Sequence, residues 1–195
     1  MSMKTLLAAC EGILDEAVLV RLAREATLDL SWVDNAGGKV ALDARLASYA
    51  GVGRKMQFLA LRDLDRDADC APALVKRLVP RSSPGFRLHL AVRSVEAWLL
   101  ADAQGLAASL GVPVGRLPLL PDELDDPRGE ILALARRSKR TRLALELLPS
   151  TPGARVGPGY TAHFVRFVSG DWSPDRARLR SRSLESLLLY LERLA

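Results

Sequence analysis

One stretch constrains the fold more than any other: Met56-Gln57-Phe58-Leu59-Ala60-Leu61-Arg62-Asp63-Leu64-Asp65-Arg66-Asp67. Its apolar run, Phe58 to Leu61, stops abruptly and gives way to aspartates at positions 63, 65 and 67. The run is short for a helix and lies between Gly51 and Gly53 upstream and Pro72 downstream, so it reads as a buried strand with acids at its carboxyl end. Sites in open α/β sheets form in the crevice beyond the carboxyl ends of the strands. Alternate residues of an extended chain point the same way, so Asp63 and Asp65 are expected to reach one cation together. A solvated acidic turn explains the same residues, and the feature that tips the balance is Glu11.

The remainder of the chain reads as alternating strands and helices. Lys4 to Cys10 is a short apolar strand, followed by Glu11-Gly12-Ile13-Leu14-Asp15-Glu16. Gly12 permits a tight turn, and Asp15 and Glu16 fall where a helix amino terminus favours acids. Helical spacing of Val18, Leu19, Leu22, Ala23 and Ala26 predicts a helix from Asp15 to Ala26, and Leu28 to Val33 a second strand. A loop through Gly37-Gly38-Lys39 opens a second helix expected to turn Val40, Leu42, Leu46 and Tyr49 inward. The third strand is Met56 to Leu61, with a short helix after Pro72. Arg87 to Val92 is the fourth strand, and Ser94 is expected to cap a helix carrying Glu96, Trp98, Leu99 and Asp102. Gly111 to Pro127 reads as a loop and Gly129 to Leu148 as one helix with a basic cluster at Arg136, Arg137, Lys139, Arg140 and Arg142. Pro149 to Gly159 is a loop, and Leu184, Leu187, Leu188, Leu191 and Leu194 line the stripe of a final helix.

The pattern predicts an α/β fold with a mainly parallel sheet of about four strands flanked by helices and a C-terminal helical extension. Residues 1–110 form the expected core and residues 111–195 the extension packed on it. A chain of 195 residues with 49% hydrophobic and 26% charged residues has ordinary globular composition. The apolar stretch at the amino terminus is shorter than a secretory core, and no segment approaches the length of a membrane span. Cys10 and Cys70 make no disulfide framework and are expected to be reduced, in a cytoplasmic protein. Two histidines, His89 and His163, argue against a zinc enzyme. The net charge of +5, with 23 of 28 cations arginine, suits a polyanionic partner, although a GC-rich genome also favours arginine.

Acids thus follow two strands, Glu11 after the first and Asp63 with Asp65 after the third. If those strands are neighbours, their ends lie roughly 5 Å apart. Converging carboxylates repel one another unless a divalent cation sits between them, and oxygen-only ligands suit magnesium or manganese.

At these residues the chain resembles the Toprim domain of topoisomerases, primases and nucleases. Glu11-Gly12-x-x-Asp15-Glu16 looks like the Toprim glutamate motif and Asp63-x-Asp65 like its Asp-x-Asp pair, over residues 4–100. Among Toprim proteins it looks most like small stand-alone bacterial members related to the overcoming-lysogenisation-defect nucleases. In that group a motif similar to Arg93-x-x-Glu96-x-Trp98-Leu99-Leu100-x-Asp102 follows the fourth strand. The resemblance implies Mg- or Mn-dependent phosphodiester cleavage in phage defence or DNA repair. Carried over, Glu11 is a metal ligand or general acid/base and Asp63 and Asp65 are metal ligands. Glu96 completes a second metal position, and Lys39 neutralises charge on the phosphate. Asp15 and Glu16 serve either the helix dipole or a metal, and Asp67 is explained by a solvated turn. Arg93 either holds the acids in place or touches phosphate, and Arg136, Arg137, Lys139 and Arg140 are a nucleic-acid contact or a solvated helix face. The chain has no room for a tyrosine-bearing cleavage domain, a zinc ribbon or an ATPase, so an accessory or nuclease role remains.

The competing function is a non-catalytic module that binds nucleic acid or a partner ATPase through the same surface. An Asp-x-Asp phosphatase with Asp63 as nucleophile fits less well. Haloacid-dehalogenase phosphatases carry that motif after the first strand with Thr or Val four residues on, where this chain has Asp67.

Overall fold

The structure, a computed structural model, describes residues 3–195; Met1 and Ser2, which begin the leader-like stretch, lie outside the described residues. Near-continuous apolar runs make three of its strands: β1 (Thr5–Cys10), β3 (Gln57–Asp63) and β4 (Phe86–Ala91). With β2 (Asp29–Asn35) they form a four-stranded sheet, parallel throughout, in the order β2-β1-β3-β4. The chain winds outward from β1 to β2 and then the other way from β3 to β4, so the crevice between β1 and β3 is the topological switch point.

Alternation along each strand divides the core in two. Leu59 and Leu61 join Leu6, Ala8 and Cys10 beneath α1 (Ile13–Glu25) and α4 (Val95–Ala101). Phe58 and Ala60 join Ala9, Leu88 and Leu90 beneath α2 (Lys39–Val52) and α3 (Ala71–Leu78). Extending the same alternation sends the last two residues of β3 to opposite faces, Asp63 toward α1 and α4 and Arg62 toward α2.

The first of these cores continues into the C-terminal helices: α5 (Ala103–Leu110), α6 (Pro127–Arg136), α7 (Thr141–Leu147), α8 (Tyr160–Ser169), α9 (Pro174–Arg178) and α10 (Arg182–Leu194). α8 lies along α1, while α6 and α9 lie against α4. No described helix is long and apolar enough to cross a membrane.

Several boundaries differ from the sequence reading. β3 runs two residues past Leu61, because Arg62 and Asp63 continue the ladder with Leu90 and Ala91 of β4. Val40 faces solvent, since the buried stripe of α2 is Leu42, Leu46, Tyr49 and Ala50. The single helix expected from Gly129 to Leu148 is two helices. Ser138 Oγ donates to Leu110 O and accepts from the Arg140 N–H at 2.9 Å, and this side-chain bonding displaces the helical ladder. The segment after Gly159, left without assigned structure by its sequence, supplies α8 and α9.

Asp102, the last residue of the motif after β4, is a staple. Fully buried, it accepts from the N–H of Gly105 at 3.1 Å, from that of Ser173 at 2.8 Å, and from Arg176 at 2.7 and 2.8 Å. It therefore caps α5 and ties it to the start of α9. Asp102→Ala orphans these donors and is expected to lower unfolding stability by about 2–4 kcal/mol, read as a shift in urea midpoint at unchanged slope.

Candidate functional site at the strand ends

The register of the sheet brings the first acids together. Ala9 lies opposite Ala60, so Glu11, two residues on, stands level with Arg62 and one step short of Asp63. From the turn that leads into α1, Glu11 reaches across and its Oε1 accepts the N–H of Asp63 at 2.9 Å. Asp63, 8% exposed, accepts the N–H of Val95 on Oδ1 at 3.0 Å. It thereby fills the capping position at α4 that Ser94 was expected to fill; Ser94 is the N-cap residue but its side chain makes no capping bond.

Two helices deliver further carboxylates to the same place. The buried stripe of α1 is Asp15, Val18, Leu19, Leu22 and Ala23, so helical geometry turns Asp15 toward the sheet along with its apolar neighbours. Every residue of α4 is buried, Glu96 included at 1% exposure. Glu96 Oε1 accepts from Arg128 Nε at 2.7 Å, and Glu96 Oε2 is buried without a partner.

These carboxyls perturb one another. Burial, then the charges of Asp15, Glu96 and Glu11, hold the Asp63 carboxyl well above the usual carboxylate range. Burial, then Glu11 and Glu96, raises Asp15 from 3.8 to about 7. Burial also raises Glu11, against the opposing Asp63 N–H bond. Beside them the Cys10 thiol is pushed up to about 12, chiefly by burial and then by Asp15 and Glu16, so it is an inert thiol.

The other lip of the cleft is an ion-pair network. β3 ends at Asp63 and Asp65 has a left-handed φ of 48°, so the alternation that would aim both carboxylates one way ends with the strand. Lys39 follows Gly37 and Gly38, whose φ values of 77° and 132° suit glycine. Its Nζ lies 2.8 Å from Asp65 and 3.1 Å from Asp67. Arg62, 3% exposed, holds Asp43 of α2 at 2.7 Å and Asp67 at 2.6 Å. Asp67 is thus pinned between two cations. Arg93 Nη1 donates to the Asp65 carbonyl while the Asp65 N–H donates to the Arg93 carbonyl, clasping the turns after β3 and β4.

Glu11, Lys39, Asp63, Asp65 and Arg93 all line one cleft of about 580 Å³, and Glu96 lies beneath it behind Arg128. Arg136, Arg137, Lys139 and Arg140 are exposed but do not line this cleft. Arg140 borders a separate hollow with His163 and Arg166. Sequence reasoning left Arg62, Arg128 and Arg155 out of the site and weighed Asp15 only as a helix-dipole acid or an optional ligand. The signal for Asp15 was its place on the stripe 15-18-19-22-23. Arg128 and Arg155 carry no local signal, since only the tertiary fold brings them to the cleft.

Magnesium and manganese take hard oxygen donors. The cluster offers these and little else: Glu11 Oε2, Asp63 Oδ2 and Glu96 Oε2 accept no hydrogen bond among the described residues. A cation also answers the mutual repulsion that raises Asp15 and Asp63. Among the described residues no group of three or more Asp, Glu, His or Cys is placed to hold a metal ion, so any fit lies in donor chemistry and not in geometry. The residues fit such an ion in donor chemistry and charge.

Comparison with known proteins adds no family: no family model, no curated protein and no solved structure matches this chain.

The shifted carboxyls dictate a pH dependence. The folded state retains on Asp15 a proton that the unfolded chain releases, so stability is greatest below about pH 4 on this account and falls as pH rises toward about 7. Asp63, raised in the same direction, adds to the effect. Asp15→Asn is expected to flatten the profile and to raise stability near pH 8 by roughly 1–2 kcal/mol, measured by urea unfolding at low and high pH. An Asp15→Asn protein no more stable at high pH would contradict this.

Proposed function

We propose that the chain is a small Toprim-type enzyme that cleaves phosphodiester bonds of nucleic acid with magnesium or manganese, in a phage-defence or DNA-repair setting. The observation that carries the reading is the hydrogen bond from the Asp63 N–H to Glu11 Oε1 at 2.9 Å. It joins the two motif acids at adjacent strand ends, at the switch point of a four-stranded parallel sheet, where the Toprim resemblance requires them.

In this reading Asp63 Oδ2 and Glu96 Oε2 would hold the ion, with Asp15 beneath them, and Glu11 keeps its one open oxygen, Oε2, as the base. The chemistry a divalent ion would supply there is polarisation of a phosphoryl oxygen and easier deprotonation of the attacking water. Glu11, on the open side of the cluster, accepts the proton of the attacking water on Oε2 and is suited to it by a carboxyl raised through burial. Lys39 sets the position of Asp65 and Asp67 and exchanges them for phosphate oxygens as nucleic acid enters.

The second reading, a non-catalytic module for nucleic acid or a partner ATPase, is favoured by the same lip: with Lys39 on Asp65 and Asp67, the acids after β3 are already neutralised within the chain.

Incubation with single- and double-stranded DNA and RNA in manganese separates the two. The first reading predicts chelator-sensitive cleavage of at least one of these, lowered about 100-fold or more in Glu11→Gln and in Asp63→Asn. Cleavage that persists in both variants, or none by the wild type despite binding, would favour the module.

A further inference from the structure

The wall of the cleft opposite the strand ends comes from the C-terminal region and carries charges of both signs, Asp125 and Asp126 beside Arg128 and Arg155. Arg128 stands in the first turn of α6, whose N-cap Asp126 accepts the Gly129 N–H at 2.9 Å, and Arg155 comes from the loop before α8. Of the other cations lining this cleft, Lys39 is held by Asp65 and Asp67 and Arg93 by the Asp65 carbonyl, while Arg66 and Arg155 are exposed and fixed by no partner among the described residues. Arg128 differs. Its Nε is fastened to the buried Glu96 at 2.7 Å, the buried Tyr160 hydroxyl lies beside the guanidinium, and the side chain is 35% exposed toward the cleft.

A guanidinium anchored at Nε and partly exposed presents its remaining N–H donors in a preorganised fork. Its rotamer is set by a partner that is itself immobile in the core, so little freedom is lost when an anion docks. Two Nη donors match two oxygens of a phosphate, and the contact is charge-assisted.

We propose that Arg128 is a preorganised phosphate-binding residue of this cleft, aimed by Glu96 so that its terminal N–H donors take the non-bridging oxygens of a nucleic-acid phosphate lying between the strand-end acids and α6. The inference rests on the reading that the cleft receives nucleic acid. It gives Glu96 the role of a positioning residue, and it gives the C-terminal region a function at the site beyond covering the sheet.

The test is equilibrium binding of a short, fluorescently labelled single-stranded oligodeoxynucleotide in chelator, read by anisotropy over a range of salt. Arg128→Ala is expected to weaken binding about tenfold or more and to reduce the slope of log K against log salt by about one. Arg128→Lys restores the slope but only part of the affinity, because an ammonium is a point charge. Arg128→Ala also leaves Glu96 buried and unpaired, so the double variant Arg128→Ala/Glu96→Gln, which lacks that charge, is measured beside it and shows the same loss of binding with recovered thermal stability. Arg54→Ala, an exposed cation at the opposite end of the sheet, is the charge-matched control. Binding by Arg128→Ala within about twofold of wild type, an equal loss in Arg54→Ala, or no binding by the wild type overturns the proposal. Arg128-dependent binding without cleavage would leave the proposal standing and sink the nuclease reading. Cleavage with Arg128-independent binding would do the reverse.

Discussion

The structure turns on a carboxylate that has little reason to be buried alone. Asp63 ends the strand at the switch point, takes the Val95 N–H and gives its own N–H to Glu11. Through these two bonds it fixes the start of α4 and the turn before α1. Burying an ionised carboxyl costs several kcal/mol unless it is paired, and here the charges that most raise it are Asp15, Glu96 and Glu11, all of the same sign, with Arg128 as the counter-charge. The tension has two chemical outlets, a shared proton or a shared cation. Structural acids are usually paired with bases; a group of acids held together against burial and repulsion is the arrangement expected where function sets the composition.

The two faces of the sheet divide the work. On the α2 face, Arg62, Lys39, Asp43, Asp65 and Asp67 form a network of ion pairs that stiffens the turn after β3. On the α1 and α4 face, the acids face one another and one guanidinium, that of Arg128. A single step along β3, from Arg62 to Asp63, separates the neutralised side from the unbalanced one. The period-2 alternation of a strand is sufficient to produce that contrast from adjacent residues.

Much of this was legible in the chain. The parallel sheet and its strand count followed from the apolar runs, because buried parallel strands leave a strong one-dimensional signal, whereas the adjacency of β1 and β3 entered only as a condition that the sheet order meets. Asp15 was legible in principle: it lies at the head of a stripe whose other members were all read as core. What hid it was a sound competing explanation, the helix dipole. Asp65 lies past the end of the strand, where alternation no longer sets its direction, and nothing local announces a left-handed residue at an aspartate. Ser138 broke a helix through side-chain bonding to the end of α5, a long-range effect. Arg128 and Arg155 reach the cleft only through the packing of α6 and α8 on the core, which spacing does not encode.

The most direct test of the central claim, that the strand-end carboxylates form a strained cluster with oxygens free for a cation, is the thermal unfolding midpoint as manganese is added, near pH 5 and near pH 8. The account predicts a rise at the higher pH that saturates with manganese, a smaller rise at the lower pH where protons hold the same oxygens, and loss of the effect in Asp63→Asn. A wild-type midpoint indifferent to manganese at both pH values, or an equal shift in Asp63→Asn, would contradict it.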